Sequence, residues 1–335
     1  MKFLSYLLII AGVGLSIARA QTPAPAHTDL CLSDKAAAEK IVPCTKAIEE
    51  THDLGKILFL LSRGRSYTQL KQYEAAEKDF SEALSIDPRH PQALYERGAL
   101  YTFLKRYSQA IADFTALLTK YPDEPDGRYN RAFVYSEMGQ DDDAIKDLDF
   151  LLKAHPEDAQ AFNDRGGLHI RKGQLEKAIK DYDQAIKLAQ DFNEAIYNRG
   201  RAYLLLSQKE KAAADFKRVL DIRKNNPYAA LRLALCGDNS ALAPALEALD
   251  KERWPVPLLL YFQDKISAEQ VFQLAASLSK SAPDATAEAG YYLGEKALQK
   301  GDKQTALIYF ARSQDSNARS VIEYYDAVFL QRKSQ

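Results

Sequence analysis

The chain has 335 residues, 46% of them apolar, and its 45 basic and 46 acidic side chains leave a formal charge of −1. That is ample apolar sequence for a large core. A charge so near zero argues against bulk binding to nucleic acid or to an anionic membrane surface, and no interior apolar run is long enough to span a bilayer.

At the N-terminus Lys2 precedes an apolar run from Phe3 to Ala18, and small residues at Ala18 and Ala20 stand before Gln21. Charge, length and cut site are those of a secretory signal peptide over residues 1–20. The expected localisation is periplasmic or secreted. No cysteine stands at the cut, so a direct membrane anchor is not expected. Residues 21–56 read as a truncated helical hairpin. Cys31 and Cys44 are thirteen residues apart, the separation of Tyr67–Phe80, Tyr101–Phe114 and Tyr203–Phe216 further on, and CTKAI echoes FSEAL and FTALL. In an oxidising compartment a Cys31–Cys44 disulfide is expected to staple this terminal hairpin by roughly 2–4 kcal/mol. Two reduced buried thiols are the alternative, and a metal site lacks further ligands.

From 57 to 226 one 34-residue phrase is written five times. Arg63, Arg97, Arg131, Arg165 and Arg199 each precede a small residue (Gly64, Gly98, Ala132, Gly166, Gly200). Three positions later comes a ring (Tyr67, Tyr101, Tyr135, His169, Tyr203), then an alanine (Ala76, Ala110, Ala144, Ala178, Ala212). Asp79, Asp113, Asp147, Asp181 and Asp215 follow, each before Phe80, Phe114, Leu148, Tyr182 or Phe216, and Pro88, Pro122 and Pro156 close three units. Small residues permit close helix approach, rings fill the space between two helices, and proline ends the second. The pattern resembles the tetratricopeptide repeat (TPR), a helix–turn–helix hairpin that stacks on its neighbours. The implied fold class is all-α: a TPR solenoid forming a right-handed superhelix, with irregular C-terminal helices, a further repeat and a capping helix.

Over 227–286 the repeat decays. PYAALRLALCG keeps the first-helix pattern and is expected to bury Cys236 unpaired on its inner face; SALAPALEALD reads as a shortened second helix. The only tryptophan, Trp254, interrupts in RWPVP, and two apolar-periodic helices follow. Over 287–335 the phrase returns, with Gly294 in the small slot, Gly301 at the turn, Ala306, and Phe310 in the ring slot; VIEYYDAVFL is the final capping helix. The order WPVPLLLYF, ISAEQ and YYLGEKALQKGDKQTALIYF resembles the tail of NlpI-type bacterial periplasmic TPR proteins. That resemblance implies a non-enzymatic adaptor that gathers cell-wall hydrolases and a periplasmic protease and pairs into homodimers. The chain departs from it in lacking a cysteine at the leader's cut site and in adding the Cys31/Cys44 hairpin.

Catalytic signatures are missing: there is no Walker loop, G-x-S-x-G or H-E-x-x-H. His27, His52, His90, His155 and His169 are scattered, with His169 in a ring slot where a core role is expected. Ser277–Lys280 matches S-x-x-K without its companion motifs and reads as the solvated face of a helix. No catalytic residue, metal or cofactor is expected. An enzyme with its site in 227–286 would have only Asp238, Glu247, Asp250, Glu252 and Asp264, with no histidine near.

The Arg/Asp ladder reads as pairing that holds helices in register, against a row of arginines offered to an acidic ligand. Partner binding is expected on the concave first-helix face: Tyr95, Tyr129, Asn163 and Tyr197 share one slot, flanked by Asn130, Phe133, Asn198 and Arg201. Tyrosines give large contact area at low entropic cost. The lysine slots by which chaperone-tail TPRs clamp a terminal carboxylate hold Leu58, Gln92, Asp126, Gln160 and Glu194 here, so the expected ligand is a protein or an extended or helical peptide. The expected function is an extracytoplasmic scaffold or adaptor; the alternative is an assembly factor for outer-membrane or pilus proteins.

Overall fold

A computed structural model describes residues 26–318 and 321–334; the leader read over 1–20 lies outside them. Among the described residues all regular structure is α-helical, and no helix is long and apolar enough to cross a membrane. The chain divides into two compact units, Met1–Phe103 and Leu104–Gln335.

The first unit contains α1 (Ala26–Leu32), α2 (Ala37–Glu50), α3 (Gly55–Gln69), α4 (Tyr73–Ile86) and α5 (Pro91–Phe103). Cys31 and Cys44 are fully buried and joined by a disulfide, with the Cα atoms 4.7 Å apart. The two cysteines thus take the place of a packed ring pair between α1 and α2. Ser62 on α3 donates to the Cys31 carbonyl at 2.7 Å, which ties the stapled hairpin to the next one. Gly64 shows why the small slot exists: a Cβ there would stand 2.5 Å from the Phe80 ring.

The second unit begins with α6 (Tyr107–Lys120) and continues through three hairpins: α7 (Pro125–Glu137) with α8 (Asp141–Ala154), α9 (Ala159–Arg171) with α10 (Leu175–Leu188), and α11 (Asn193–Leu205) with α12 (Lys209–Ile222). Their inner turns close alike. Gln140, Gln174 and Gln208 donate backbone N–H to the carbonyls of Tyr135, His169 and Tyr203, each at 2.8 Å. The residue before each glutamine (Gly139, Gly173, Ser207) has positive φ, as a left-handed helix C-terminus requires. His169 is buried as expected, its Nδ1 2.9 Å from Gln174 Oε1, and burial lowers its pKa.

The irregular part contributes α13 (Pro227–Leu235), α14 (Leu242–Glu247), α15 (Val256–Phe262) and α16 (Ala268–Leu278). Two expectations need correcting here. Cys236 is unpaired as expected, but it caps the end of α13 and is half-buried rather than buried. Ser279 and Lys280 lie beyond α16; the Ser279 hydroxyl donates to the Ser281 carbonyl, so the S-x-x-K motif is a helix exit and not a helical face. The returning repeat is α17 (Ala282–Gln299) with α18 (Lys303–Asp315). Gly294 meets the Phe310 ring, and Gly290 passes so close that a Cβ would stand 2.6 Å from the Tyr309 carbonyl oxygen. Last comes α19 (Ile322–Ser334), packed on α17 and α18. It does more than close the end of the stack, because its side chains turn back across α9, α11 and α13.

Candidate protein-interaction site

The Arg/Asp ladder sets the frame on which the site is built. Arg63, Arg131, Arg165 and Arg199 each grip the aspartate sixteen residues on (Asp79, Asp147, Asp181, Asp215) through two parallel hydrogen bonds of 2.6–2.9 Å. The fork geometry of guanidinium on carboxylate explains why arginine holds this slot. The remaining nitrogen, Nη1, reaches backward to the second helix of the preceding hairpin. Its acceptor is Thr45 for Arg63, Ser81 for Arg97, Thr115 for Arg131, Asp149 for Arg165 and Asp183 for Arg199. One side chain therefore clasps two successive hairpins.

Within each unit, with the hairpins in register, positions 34 apart line up along the first-helix face. In the second unit this face carries a polar chain. Tyr129 donates its hydroxyl to Asp164, and Gln160 and Asn163 donate to the same carboxylate at 2.9 and 3.1 Å. Asn198 donates to Asn163 Oδ1 at 3.1 Å, and Asn163 reaches Glu194 at 3.4 Å. Burial pushes Asp164 up to about 6, against the pull of its three donors. In the first unit, on α5, Glu96 plays the corresponding part, accepting from Arg65 at 3.2 Å and Gln92 at 3.0 Å.

At its C-terminal end the face is covered by α19. Arg201 donates Nε to both oxygens of Asp326 at 2.9 Å. Arg232, thirty-four residues after Asn198, is fully buried. Its Nε meets the Tyr197 hydroxyl at 2.7 Å and its Nη1 the Tyr291 hydroxyl at 2.8 Å, while Nη2 meets Glu323 at 2.9 Å and Asp326 at 3.1 Å. The rings of Tyr197, Tyr291 and Tyr292 surround the guanidinium. Two cations face two carboxylates in this cluster, so neither sign is buried uncompensated. Beside it, Glu288 accepts from the Trp254 indole at 2.7 Å and the Tyr228 hydroxyl at 2.9 Å; burial, with the charge of Glu323 second, pushes it up to about 8. Among the described residues no group of acidic, histidine and cysteine side chains could hold a metal ion.

Family models for the tetratricopeptide repeat match residues 57–90, 92–124, 129–191 and 168–230, together about half of the chain. The chain is a tetratricopeptide repeat protein. Among solved structures, a TPR protein from Parabacteroides merdae aligns over 85% of this chain and 99% of its own at 15% identity and a TM-score of 0.54, a likeness of fold alone. Part of a TPR protein from Cytophaga hutchinsonii aligns over 80% and 99% at 17% identity and 0.49. YrrB, described as a TPR protein with an unusual peptide-binding site, aligns over 56% and 95% at 23% identity and 0.49. No curated protein matches the chain.

On this TPR scaffold the expected binding residues fall into three groups. Tyr95 lies half-buried on α5 of the first unit. Tyr129, Asn130 and Phe133 lie half-buried on α7, and Asn163, buried on α9, is part of the polar chain. Tyr197 and Arg201 come together with Arg232 beneath α19, so the chain's own C-terminal helix already occupies their surface, and half-buried Asn198 beside them accepts from Arg201 at 3.5 Å. Arg232 and the Glu323/Asp326 pair were not singled out in the sequence. The available signals were a lone arginine inside the apolar run LRLAL and two acids three apart inside VIEYYDAVFL.

Proposed function

We propose that this TPR protein is a non-enzymatic scaffold working outside the cytoplasm, and that it holds protein partners on the first-helix faces of its repeats. The observation that carries the reading is the occupied end of that face: rings and guanidiniums there hold a helix, α19, by charge and ring contact. The leader read over residues 1–20 and the Cys31–Cys44 disulfide support an oxidising compartment. The resemblance to NlpI-type proteins supports envelope hydrolases or a periplasmic protease as partners, and pairing into dimers.

The test is affinity capture from an envelope extract by the wild-type chain and by a Tyr95→Ala/Tyr129→Ala variant, with both first shown to have the same helical content. Loss of specific captured proteins by the variant is expected. Identical capture by both would remove the first-helix face from the reading. Recovery of outer-membrane or pilus subunits alone would replace the adaptor by an assembly factor.

A further inference from the structure

The buried face of α19 carries more acid than the buried faces of the repeats' second helices. Its buried residues are Glu323, Asp326, Ala327 and Leu330, two acids and two apolar groups, where the second helices of the repeats bury a single aspartate among alanines, leucines and rings. Charge therefore holds it down alongside the apolar packing of Ala327, Leu330 and Phe329. The two acids stand three residues apart on one side of the helix and meet Arg201 and Arg232. One turn on, Phe329 lies on the turn after α9, 3.8 Å from where a Cβ of Gly173 would be, and Tyr325 stands under the Arg171 guanidinium at 5.5 Å. At the far end Lys333 donates to the Leu205 carbonyl at 3.1 Å and the Ser207 hydroxyl at 3.2 Å, at the turn of the next hairpin. The contacts run the length of the helix and use repeat positions, so α19 lies on this face as a ligand would.

Resting on the scaffold reading above, we propose that the first-helix face of α9, α11 and α13 is a docking site for an acidic amphipathic helix of the pattern Glu-x-x-Asp-x-x-Phe. In this site α19 is the resident occupant, and a partner protein's helix of the same pattern displaces it. The partner's chemistry follows from charge complementarity: two arginines on the floor of the site call for two carboxylates one helical turn apart, and the aromatic follows at the next turn. A helix tethered through so short a link is present at an effective concentration of the order of millimolar. The resident therefore excludes weak ligands and yields to those that bind the face more tightly. A terminal helix joined to the rest of the chain at one end only belongs to the low-stability end of a structure.

The experiment uses the full chain and a fluorescent, end-blocked peptide of residues 321–334 as the probe. In hydrogen exchange, the amides of α19 are expected to exchange ahead of those of α17 and α18. In fluorescence anisotropy, the peptide is expected to bind an Asp326→Ala chain about tenfold more tightly than the wild-type chain, because the competent fraction of the face rises. A peptide carrying Asp326→Ala is expected to lose that binding. Should the Asp326→Ala chain fail to fold, Phe329→Ala weakens the same helix at its half-buried side and serves in its place. Equal protection of α19 and α17 would overturn the proposal, and so would a chain whose α19 has opened but which does not take up the peptide. Concentration-dependent dimers that exchange α19 would assign the site to a second copy and overturn the partner helix. Peptide binding and envelope capture are separate readouts, so failure of one is distinguishable from failure of the other.

Discussion

Removing one arginine of the ladder should loosen two hairpins at once, and Arg165 gives the sharpest case. Its Nε and Nη2 hold Asp181 at 2.9 and 2.6 Å, and Nη1 holds Asp149 at 2.7 Å. The two acceptors differ in setting: the Asp181 side chain is 8% exposed and the Asp149 side chain 56%. In Arg165→Ala a nearly buried carboxylate loses its fork partner. Hydrogen bonds to charged groups contribute about 1.5–3 kcal/mol, and stranding a buried charge costs about 3–5 kcal/mol. The arginine is itself one-fifth exposed, so water reaches part of the site and we expect about 2–3 kcal/mol. Asp149→Ala removes only the exposed partner and should cost under about 1 kcal/mol. Arg165→Ala/Asp181→Ala removes the stranded carboxylate, so a double-mutant cycle should return a coupling of about 1–3 kcal/mol. Urea unfolding followed by circular dichroism reads the stabilities, and hydrogen exchange over 141–188 locates the loss in α8, α9 and α10. If Arg165→Ala proves no costlier than Asp149→Ala, the clasp does not hold the stack and the reasoning fails.

Three further outcomes follow from the packing and the charges. Gly166→Ala would place a Cβ 2.7 Å from the buried Tyr182 ring and should cost about 1–3 kcal/mol, whereas Gly167→Ala next to it meets nothing within 4 Å and should stabilise α9 by about 0.5–1 kcal/mol; thermal melts of the pair test this. Replacing both Cys31 and Cys44 by alanine should cost about 3 kcal/mol, the closure entropy of a loop of that length, and should appear as lost amide protection over 26–50 while 227–334 is unchanged. Burial pushes the Glu288 carboxyl from the ordinary glutamate value of 4.5 up to about 8. Between those pH values the folded chain keeps a proton that the unfolded chain has released, so this group's contribution falls as pH rises through the window. Glu288→Gln, which keeps an acceptor for Trp254 and Tyr228, should gain on the wild type between pH 5 and pH 9; parallel melting curves at the two pH values would contradict it.

Periodic features were legible in the sequence because each slot has a single physical task. Gly64, Gly166 and Gly294 mark where a ring presses on a backbone, and the 34-residue spacing of the slots over 57–226 locates the hairpins there. The thirteen-residue separation of Cys31 and Cys44 carried the disulfide for the same reason: it copied the distance between facing slots. The ladder's forward half could be read from matched Arg and Asp positions. Its backward half could not, since Thr45, Ser81, Thr115, Asp149 and Asp183 share hydrogen-bonding capacity but no residue type. The ligand-like placement of α19 was beyond reach for a different reason. Arg201 meets Asp326 across 125 residues, and no local pattern announces a contact of that range. What the repeat showed was a face; which part of it lies open depends on a helix outside the repeat.

The clasp recurs at the same phase of each hairpin, so whole hairpins are interchangeable modules as far as register is concerned. An extra 34-residue module inserted between α8 and α9 would find the same hooks on both sides. The same insertion between α10 and α11 would carry Arg171 and Gly173 away from Tyr325 and Phe329 while leaving Arg201 and Arg232 in place. As far as α19 is concerned, growth of the array is thus tolerated ahead of α9 and frozen behind it.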